Sequence, residues 1–298
     1  MRLQFLSRFT ASPALRRAAR AYKNAWKRFY FWPLHALRKA RFEKLGLDRR
    51  MPLAIAAVNL ASDCKCRHTS HYVPLSRETI RELTAGNDRK NVASLFGATA
   101  AVIDLDTFAN FDAWRVQVSR ATSGKYHRSA NKARRMGYSA GIVGFNSYHR
   151  SVYELTGSKF RRSKGLLVWA ALIAPPASLV DTKKPPVPPV CLEHWRYCWG
   201  AFKSTEAGEK LVASAILIRT GNVVWIQRFI GHGDALKDGV TKMLIFDIMQ
   251  WLLARAEPGT QGIRYLLHGS IEEGSTGLFD WKRYLGFKPM LLDSASPS

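Results

Sequence analysis

Between residues 13 and 46 apolar side chains recur at three- and four-residue steps. Leu15, Ala19, Tyr22, Trp26, Phe29 and Tyr30 alternate with Arg16, Arg20, Lys23 and Lys27. That period predicts a helix with one apolar and one basic face, broken at Pro33 and resuming over 34–45. The pattern then shortens. Residues 52–60 form a brief apolar run, read as the first strand of a folded body. Ser76 opens a helix with an N-capping hydroxyl and an early acid, Glu78. A strand is expected at 102–105. A helix in two pieces around Gly124 is expected over 111–136, ended by Gly137. A strand at 138–143, a helix at 151–160 and a strand at 166–173 follow.

Lys183-Lys-Pro-Pro-Val-Pro-Pro-Val190 interrupts this series. Four prolines in six residues exclude helix and favour an extended chain, either an interdomain linker or a long surface loop. After it the pattern is regular. Strands are expected at 195–203 and 211–219. Thr220-Gly-Asn222 signals a hairpin turn into a strand at 223–230. A Gly-rich loop spans 231–239, then an amphipathic helix 240–256, a strand 263–268, a helix 277–285 and a last strand from Phe287. Strands alternating with helices predict an α/β fold.

The chain has 298 residues, of which 47% are hydrophobic, with 9 Trp, 15 Phe and 10 Tyr. That is enough apolar material for a large core, and it excludes disorder of the whole chain. No run reaches the length of a membrane span; the nearest, 165–180, is cut by Pro175 and Pro176. The N-terminus lacks the apolar core of a secretory signal. Formal net charge is +24, and residues 1–50 carry 14 Lys/Arg against two acids. Such a surface attracts polyanions: nucleic acid, anionic lipid or a phosphate-rich co-substrate. The arm 1–50 is expected either to lie on an anionic membrane or to dock its apolar face on the body behind it. A cytoplasmic protein, peripheral at the inner face of a membrane, fits these features.

Three stretches in residues 195–292 resemble the FemAB-like branch of the GNAT acyltransferase superfamily. Residues 211–225 look like its paired central strands, and residues 237–251 like the loop and helix that follow. Gly277-Leu-Phe-Asp-Trp-Lys-Arg-Tyr-Leu-Gly-Phe287 looks like its ending. Upstream, Arg128-Ser-Ala-Asn-Lys-Ala-Arg-Arg-Met-Gly137 resembles its basic helix. The resemblance implies a GNAT-like mixed central sheet flanked by helices, with a second, degenerate GNAT-like half as a further reading of 51–190. The expected organisation is an arm 1–50, an N-terminal half 51–190 and an acyltransferase half 191–298.

The resemblance also implies a chemistry. An acyl, acetyl or aminoacyl group passes from a coenzyme A thioester or an aminoacyl-tRNA to an amine on a small molecule, glycan, lipid or peptide, with no tightly bound cofactor. In the family, backbone N–H groups of a Gln/Arg-x-x-Gly-x-Gly/Ala loop at a helix start grip the donor pyrophosphate. Arg228-Phe229-Ile230-Gly231-His232-Gly233 matches those letters but precedes the expected helix start. In the helix register the loop reads Leu236-Lys237-Asp238-Gly239-Val240-Thr241. There Asp238 brings negative charge, which Lys237 and Lys242 oppose. Deprotonation of the incoming ammonium requires a base, and His232, His268, Glu272 and Glu273 are the candidates. Tyr284 is the candidate acid at the leaving group. Lys125, Arg128, Lys132, Lys282 and Arg283 are candidates for holding phosphate. A different class of function stands beside this one: a GNAT-fold module without catalysis, binding nucleic acid or anionic membrane through its basic surface.

Four cysteines are too few for a disulfide scaffold. Cys64-Lys-Cys66, His68, His71 and Cys191-x-x-His194-x-x-x-Cys198 collect metal-ligating residue types. Two Cys-x-x-Cys knuckles are absent, so packed thiols and no metal are the expectation.

Overall fold

Thr220 and Val223 face each other across the two-residue turn Gly221–Asn222, whose glycine takes φ +60°. A glycine there matches the turn to the twist of the strands it joins. This hairpin joins two inner strands of the sheet. The computed structural model describes residues 54–60, 100–159, 174–206, 208–271 and 275–293. The arm 1–50, the helix expected from Ser76, the strand expected at 166–173, and Cys64, Cys66, His68, His71, Glu272 and Glu273 all lie outside these residues.

Eight strands form one sheet: β1 (Ile55–Ala57), β2 (Ala100–Asp104), β3 (Tyr138–Val143), β4 (His194–Thr205), β5 (Gly208–Thr220), β6 (Val223–Gly231), β7 (Tyr265–Ser270) and β8 (Lys288–Asp293). Their spatial order is β1-β8-β2-β7-β6-β5-β4-β3. The β6–β7 and β1–β8 pairs are parallel and the others antiparallel, so the sheet is mixed. The helices are α1 (Phe111–Ala121), α2 (Lys125–Arg135), α3 (His149–Gly157), α4 (Val240–Ala254) and α5 (Thr276–Tyr284). The α/β class is as expected, and β4 through β8 follow the order expected for residues 195–292. Strands β1 to β3, from the residues before 190, join the same sheet, and residues 52–298 group as one unit.

Side chains alternate across a strand, so Trp199 and Phe202 of β4 point to opposite faces. On one face Phe202, Leu211 and Leu155 of α3 form a buried cluster with Val152 and Ile230. On the other, Trp251 of α4 meets Trp195, Tyr197 and Trp199 at ring separations of 5.6–5.7 Å. Helix α4 was expected to be amphipathic, and it is not. Ten of its 15 residues are buried, from Val240 to Leu253. A helix apolar on nearly all sides belongs inside a protein. Here α1 and α2 cover the side that the sheet leaves open. Trp114 meets Phe246 edge-on at 5.0 Å, and His127 stacks on the same ring at 6.2 Å.

The split of the 111–136 helix falls at Gly124, with φ +73°. Asn110 caps α1 through its side chain, and Ser275 caps α5. The proline-rich run is an exposed surface segment without regular structure, held where Ser147 Oγ donates to Lys184 O at 3.1 Å. Among the described residues no helix is long and apolar enough to cross a membrane.

Candidate functional site

Strands β6 and β7 run parallel but pair only over Val223–Trp225 and Tyr265–Leu267. Each strand then bulges. On β6 the register with β5 shifts between Ile226 and Arg228, leaving Gln227 as the extra residue. On β7 the register with β2 shifts between Leu267 and Ser270, where Gly269 takes φ +57°. A bulge bends a strand and ends its pairing. The two bulges lie just past the last shared pair, and residues 226–231 of β6 share no ladder pair with His268–Ser270 of β7.

The two strands are bridged from α5 where their pairing ends. Trp281 lies 5.2 Å from Phe229 of β6 and 5.5 Å from His268 of β7, with Phe287 at 6.1 Å. Neither Trp225 nor Trp251 occupies this place. Trp225 packs with the β1–β8–β2 cluster, and Trp251 with the β4 aromatics.

Helix α4 starts where β6 leads, after a short 3-10 turn at Asp234–Asp238. Gly239 takes φ +89°, and a Cβ there would fall 2.3 Å from the Ser129 carbonyl oxygen of α2. The close approach is possible because α2 presents Ser129, Ala130 and Ala133, all small, to α4. Asp238, 9% exposed, precedes Gly239. Its carboxylate accepts from the Tyr138 hydroxyl at 2.9 Å and pairs with Lys132 Nζ at 3.6 Å. Burial and this carboxylate push the Tyr138 phenol up to about 12. The amino end of α4 is thus covered by α2 and carries a carboxylate of the chain itself.

Cations surround that end. Lys125, Arg128, Lys132 and Arg135 lie along α2 at steps of three and four residues, so they form one stripe. Lys132 Nζ also donates to the Lys237 carbonyl at 3.4 Å. Lys242 lies 5.8 Å from the centre of the Tyr126 ring. Burial lowers the Lys242 ammonium below its usual range, and the neighbouring Lys125 adds to this. Tyr126 meets Tyr284 edge-on at 5.7 Å, and Arg283 stacks on Tyr284 at 4.6 Å. Burial, with Tyr284 and Asp280 nearby, pushes the Tyr126 phenol up to about 12.

The structure therefore gathers Lys125, Arg128, Lys132, Lys237, Gly239, Lys242, Arg283 and Tyr284 between α2, α4 and α5. It distributes the others differently. Ile230 packs in the α3 cluster. Gly231 backs onto Thr241 and Leu236, and a Cβ on Gly231 would lie 2.7 Å from Thr241 Cγ2. Val240 is buried in the core. The N–H of Gly233 donates to Ser158 Oγ at the end of α3 at 2.9 Å, and His232 Nδ1 faces Asp234 at 3.7 Å. His268 belongs to the Trp281 aromatic group. Lys282 departs most from expectation. It is 0% exposed and donates to the Ser270 carbonyl, so it serves the end of β7 rather than a surface phosphate.

Sequence reasoning missed Trp281 as the bridging ring and Gln227 as the bulge. For Trp281 a signal existed: it sits one turn before Tyr284 in the same short helix. Gln227 lies in an unbroken strand pattern and gives none.

No family model matches the chain, and no curated protein matches it. Solved structures do. FemX is similar over 65% of this chain and 59% of its own, at 8% identity and TM-score 0.46. A tandem GNAT protein from the clavulanic acid biosynthesis pathway is similar over 64% and 50%, at 14% identity and TM-score 0.37. L-PGS from Bacillus licheniformis is similar over 57% and 44%, at 18% identity and TM-score 0.33. The chain spans less than two thirds of the length of each.

Proposed function

We propose that the protein transfers an aminoacyl group from an aminoacyl-tRNA to an amine, where the pairing of β6 with β7 ends. One observation carries the choice of donor. The amino end of α4 is closed by the Ser129 backbone and faces the Asp238 carboxylate, while the cations beside it form a stripe. A pyrophosphate gripped by backbone N–H groups needs an open helix end without a competing anion. A polynucleotide is instead held by side-chain cations spaced along its phosphates.

In this reaction the acceptor amine attacks the ester carbonyl carbon. The carbon–oxygen bond to the ribose breaks, and the amine proton is delivered to the ribose oxygen. His232 and His268 are the groups of this chain suited to take the proton. Tyr284, beside Arg283 and Tyr126, is suited to return one to the leaving oxygen. A cationic surround also favours the oxyanion of the tetrahedral intermediate.

The test uses the full chain with bulk radiolabelled aminoacyl-tRNA, offered separately an amine-bearing lipid, a peptide and an amino sugar. Parallel reactions use acetyl-CoA and a longer acyl-CoA. Acceptor-dependent transfer of label from tRNA supports the reading. Transfer from a coenzyme A thioester alone overturns the donor. A second reading rests on Trp281, whose ring packs against Phe229 of β6 and His268 of β7 where their pairing ends. It is a module that binds RNA without chemistry, and tRNA binding with no transfer to any acceptor would establish it.

A further inference from the structure

The proline-rich run is fastened at its start. The Thr182 and Lys183 N–H groups donate to the Ser147 carbonyl at 2.8 and 3.2 Å. Ser147, 1% exposed, donates in return from Oγ to the Lys184 carbonyl. Gly144 makes room for this contact: a Cβ there would fall 2.2 Å from the Lys184 carbonyl oxygen and 2.7 Å from that of Pro185. Asp181 accepts from the Ser151 N–H at 3.1 Å, tying the chain to α3. The far end is fastened too. The Gly221 N–H donates to the Glu193 carbonyl at 2.9 Å, and β4 begins at His194.

Between these anchors the sequence repeats itself, Pro185-Pro186-Val187 and then Pro188-Pro189-Val190. Proline fixes its own φ at about −65° and keeps the residue before it out of the helical region. Lys184, Pro185, Val187 and Pro188 are therefore all held to extended backbone. An extended proline run has three residues per turn, each rising about 3.1 Å. A three-residue repeat thus stacks Val187 and Val190 on one edge, about 9 Å apart, with prolines 185/188 and 186/189 as two further ridges. The fold turns the valine edge outward. Val187 is 79% and Val190 86% exposed, the highest values for any large apolar side chain among the described residues. Among those residues neither valine donates its N–H to the fold, and prolines have none to donate.

We propose that residues 184–190 are a docking segment for a protein partner that receives extended proline runs in a groove lined with aromatic rings. In this mode of recognition the rings pack on the proline ridges, and ring N–H or O–H groups donate to the free carbonyls. The outward valine edge fills the apolar floor of the groove. Exposed Lys183 and Lys184 call for carboxylates at one end of it. A segment that is already stiff and held at both ends loses little freedom when it docks. A protein fits better than a polyanion, because residues 185–190 carry no cation to meet phosphates. The docking is separate from acyl transfer and stands whether or not that reaction takes place.

The full chain is titrated at about 0.15 M salt against a panel of purified SH3, WW and EVH1 domains, the three classes that take extended proline runs. Saturable binding to members of at least one class is expected. Pro186→Ala with Pro189→Ala, and Val187→Ser with Val190→Ser, are each expected to weaken it at least about tenfold. Val180→Ser, which changes an exposed valine outside the repeat, is expected to leave it unchanged. Where a variant fails to fold, methyl NMR of the wild type decides: the Val187 and Val190 signals should move on adding the domain, and those of Val180 should not. No binding to any of the three classes overturns the proposal. Binding that survives in the folded double variants overturns it equally. Val187 and Val190 signals that move with tRNA or heparin and with no domain would make the segment a polyanion contact, and overturn it as well.

Discussion

Tyr138 donates its phenolic hydrogen to Asp238 at 2.9 Å, joining the first residue of β3 to the residue before Gly239. Burial stabilises the protonated phenol, and the carboxylate that accepts this bond adds to the effect. Tyr126 is held in the same direction, chiefly by burial, and both phenols reach about 12. A folded pKa raised above the unfolded value of 10.0 means the native state keeps protons that the unfolded state releases. That contribution is complete below pH 10 and is lost as pH rises through about 12. Urea midpoints should therefore hold up to pH 10.0 and fall as pH rises from there toward about 12, and less so in Tyr138→Phe and Tyr126→Phe. Asp238→Asn should move the Tyr138 phenol back toward its ordinary value in a carbon-13 tyrosine titration.

Gly239 and Gly137 both adopt left-handed backbone, at φ +89° and +79°, but their surroundings differ. A methyl group at Gly137 meets nothing within 4 Å, whereas at Gly239 it meets the Ser129 carbonyl at 2.3 Å. Gly137→Ala carries only the backbone strain, roughly 1–2 kcal/mol. Gly239→Ala adds overpacking between α2 and α4 and should destabilise by about 2–4 kcal/mol. Equal costs in urea denaturation would mean that α2 yields freely and does not close the end of α4. The comparison also bears on function. A bulky residue at 239 disrupts packing first, so it is a poor probe of donor binding.

The elements that rest on local chemistry were legible in the sequence. The Thr220–Val223 turn, the break at Gly124, the stop at Gly137 and the helix start beside Gly239 each depend on a residue whose backbone preference is intrinsic. Misread features depended on distant partners. Helix α4 looked amphipathic because Asp247 and Gln250 interrupt its apolar run, yet Asp247 pairs with Arg134 of α2. Lys282 looked like a candidate for holding phosphate, because nothing local announces the Ser270 carbonyl that receives it. The placing of β8 between β1 and β2 joins segments more than 180 residues apart, and no local pattern encodes it. Of the site, the basic stripe of α2 and the loop 237–242 were visible separately. Their meeting was not, because it needs the small face of α2 against Gly239.

The stripe gives a quantitative expectation for RNA binding. Removing one cation that neutralises a phosphate should reduce the slope of log K against log salt by about 0.7–0.9. Arg128→Ala and Arg135→Ala should each lower the slope by about that amount and weaken binding across all tRNA sequences alike. Lys132→Ala should have a larger effect, because it also leaves the Asp238 carboxylate unscreened beside the RNA. Fluorescence anisotropy with labelled tRNA over a salt series measures this. Slopes unchanged in all three variants would remove α2 from the RNA-binding surface.

On the acid side His127 sets the sign. Its Nε2 lies 3.5 Å from Arg115 Nη1 and 3.3 Å from Asn131 Nδ2. Both neighbours can only donate, so this nitrogen must be an acceptor and the folded imidazole is neutral. Burial, then the charges of Arg115 and Arg134, lowers its pKa below the ordinary 6.5. The unfolded chain then takes up a proton that the native state refuses. Stability from this residue is present at neutral pH and is lost as pH falls below 6.5. Protonation would also face two donors with a third and loosen α2 from α1, on the side where its ring stacks on Phe246. Replacement by Gln keeps an acceptor and removes the titration. His127→Gln should therefore match the wild type near neutrality and hold its urea midpoint better at about pH 5. A wild type and variant that decline in parallel would show that acid loss arises elsewhere.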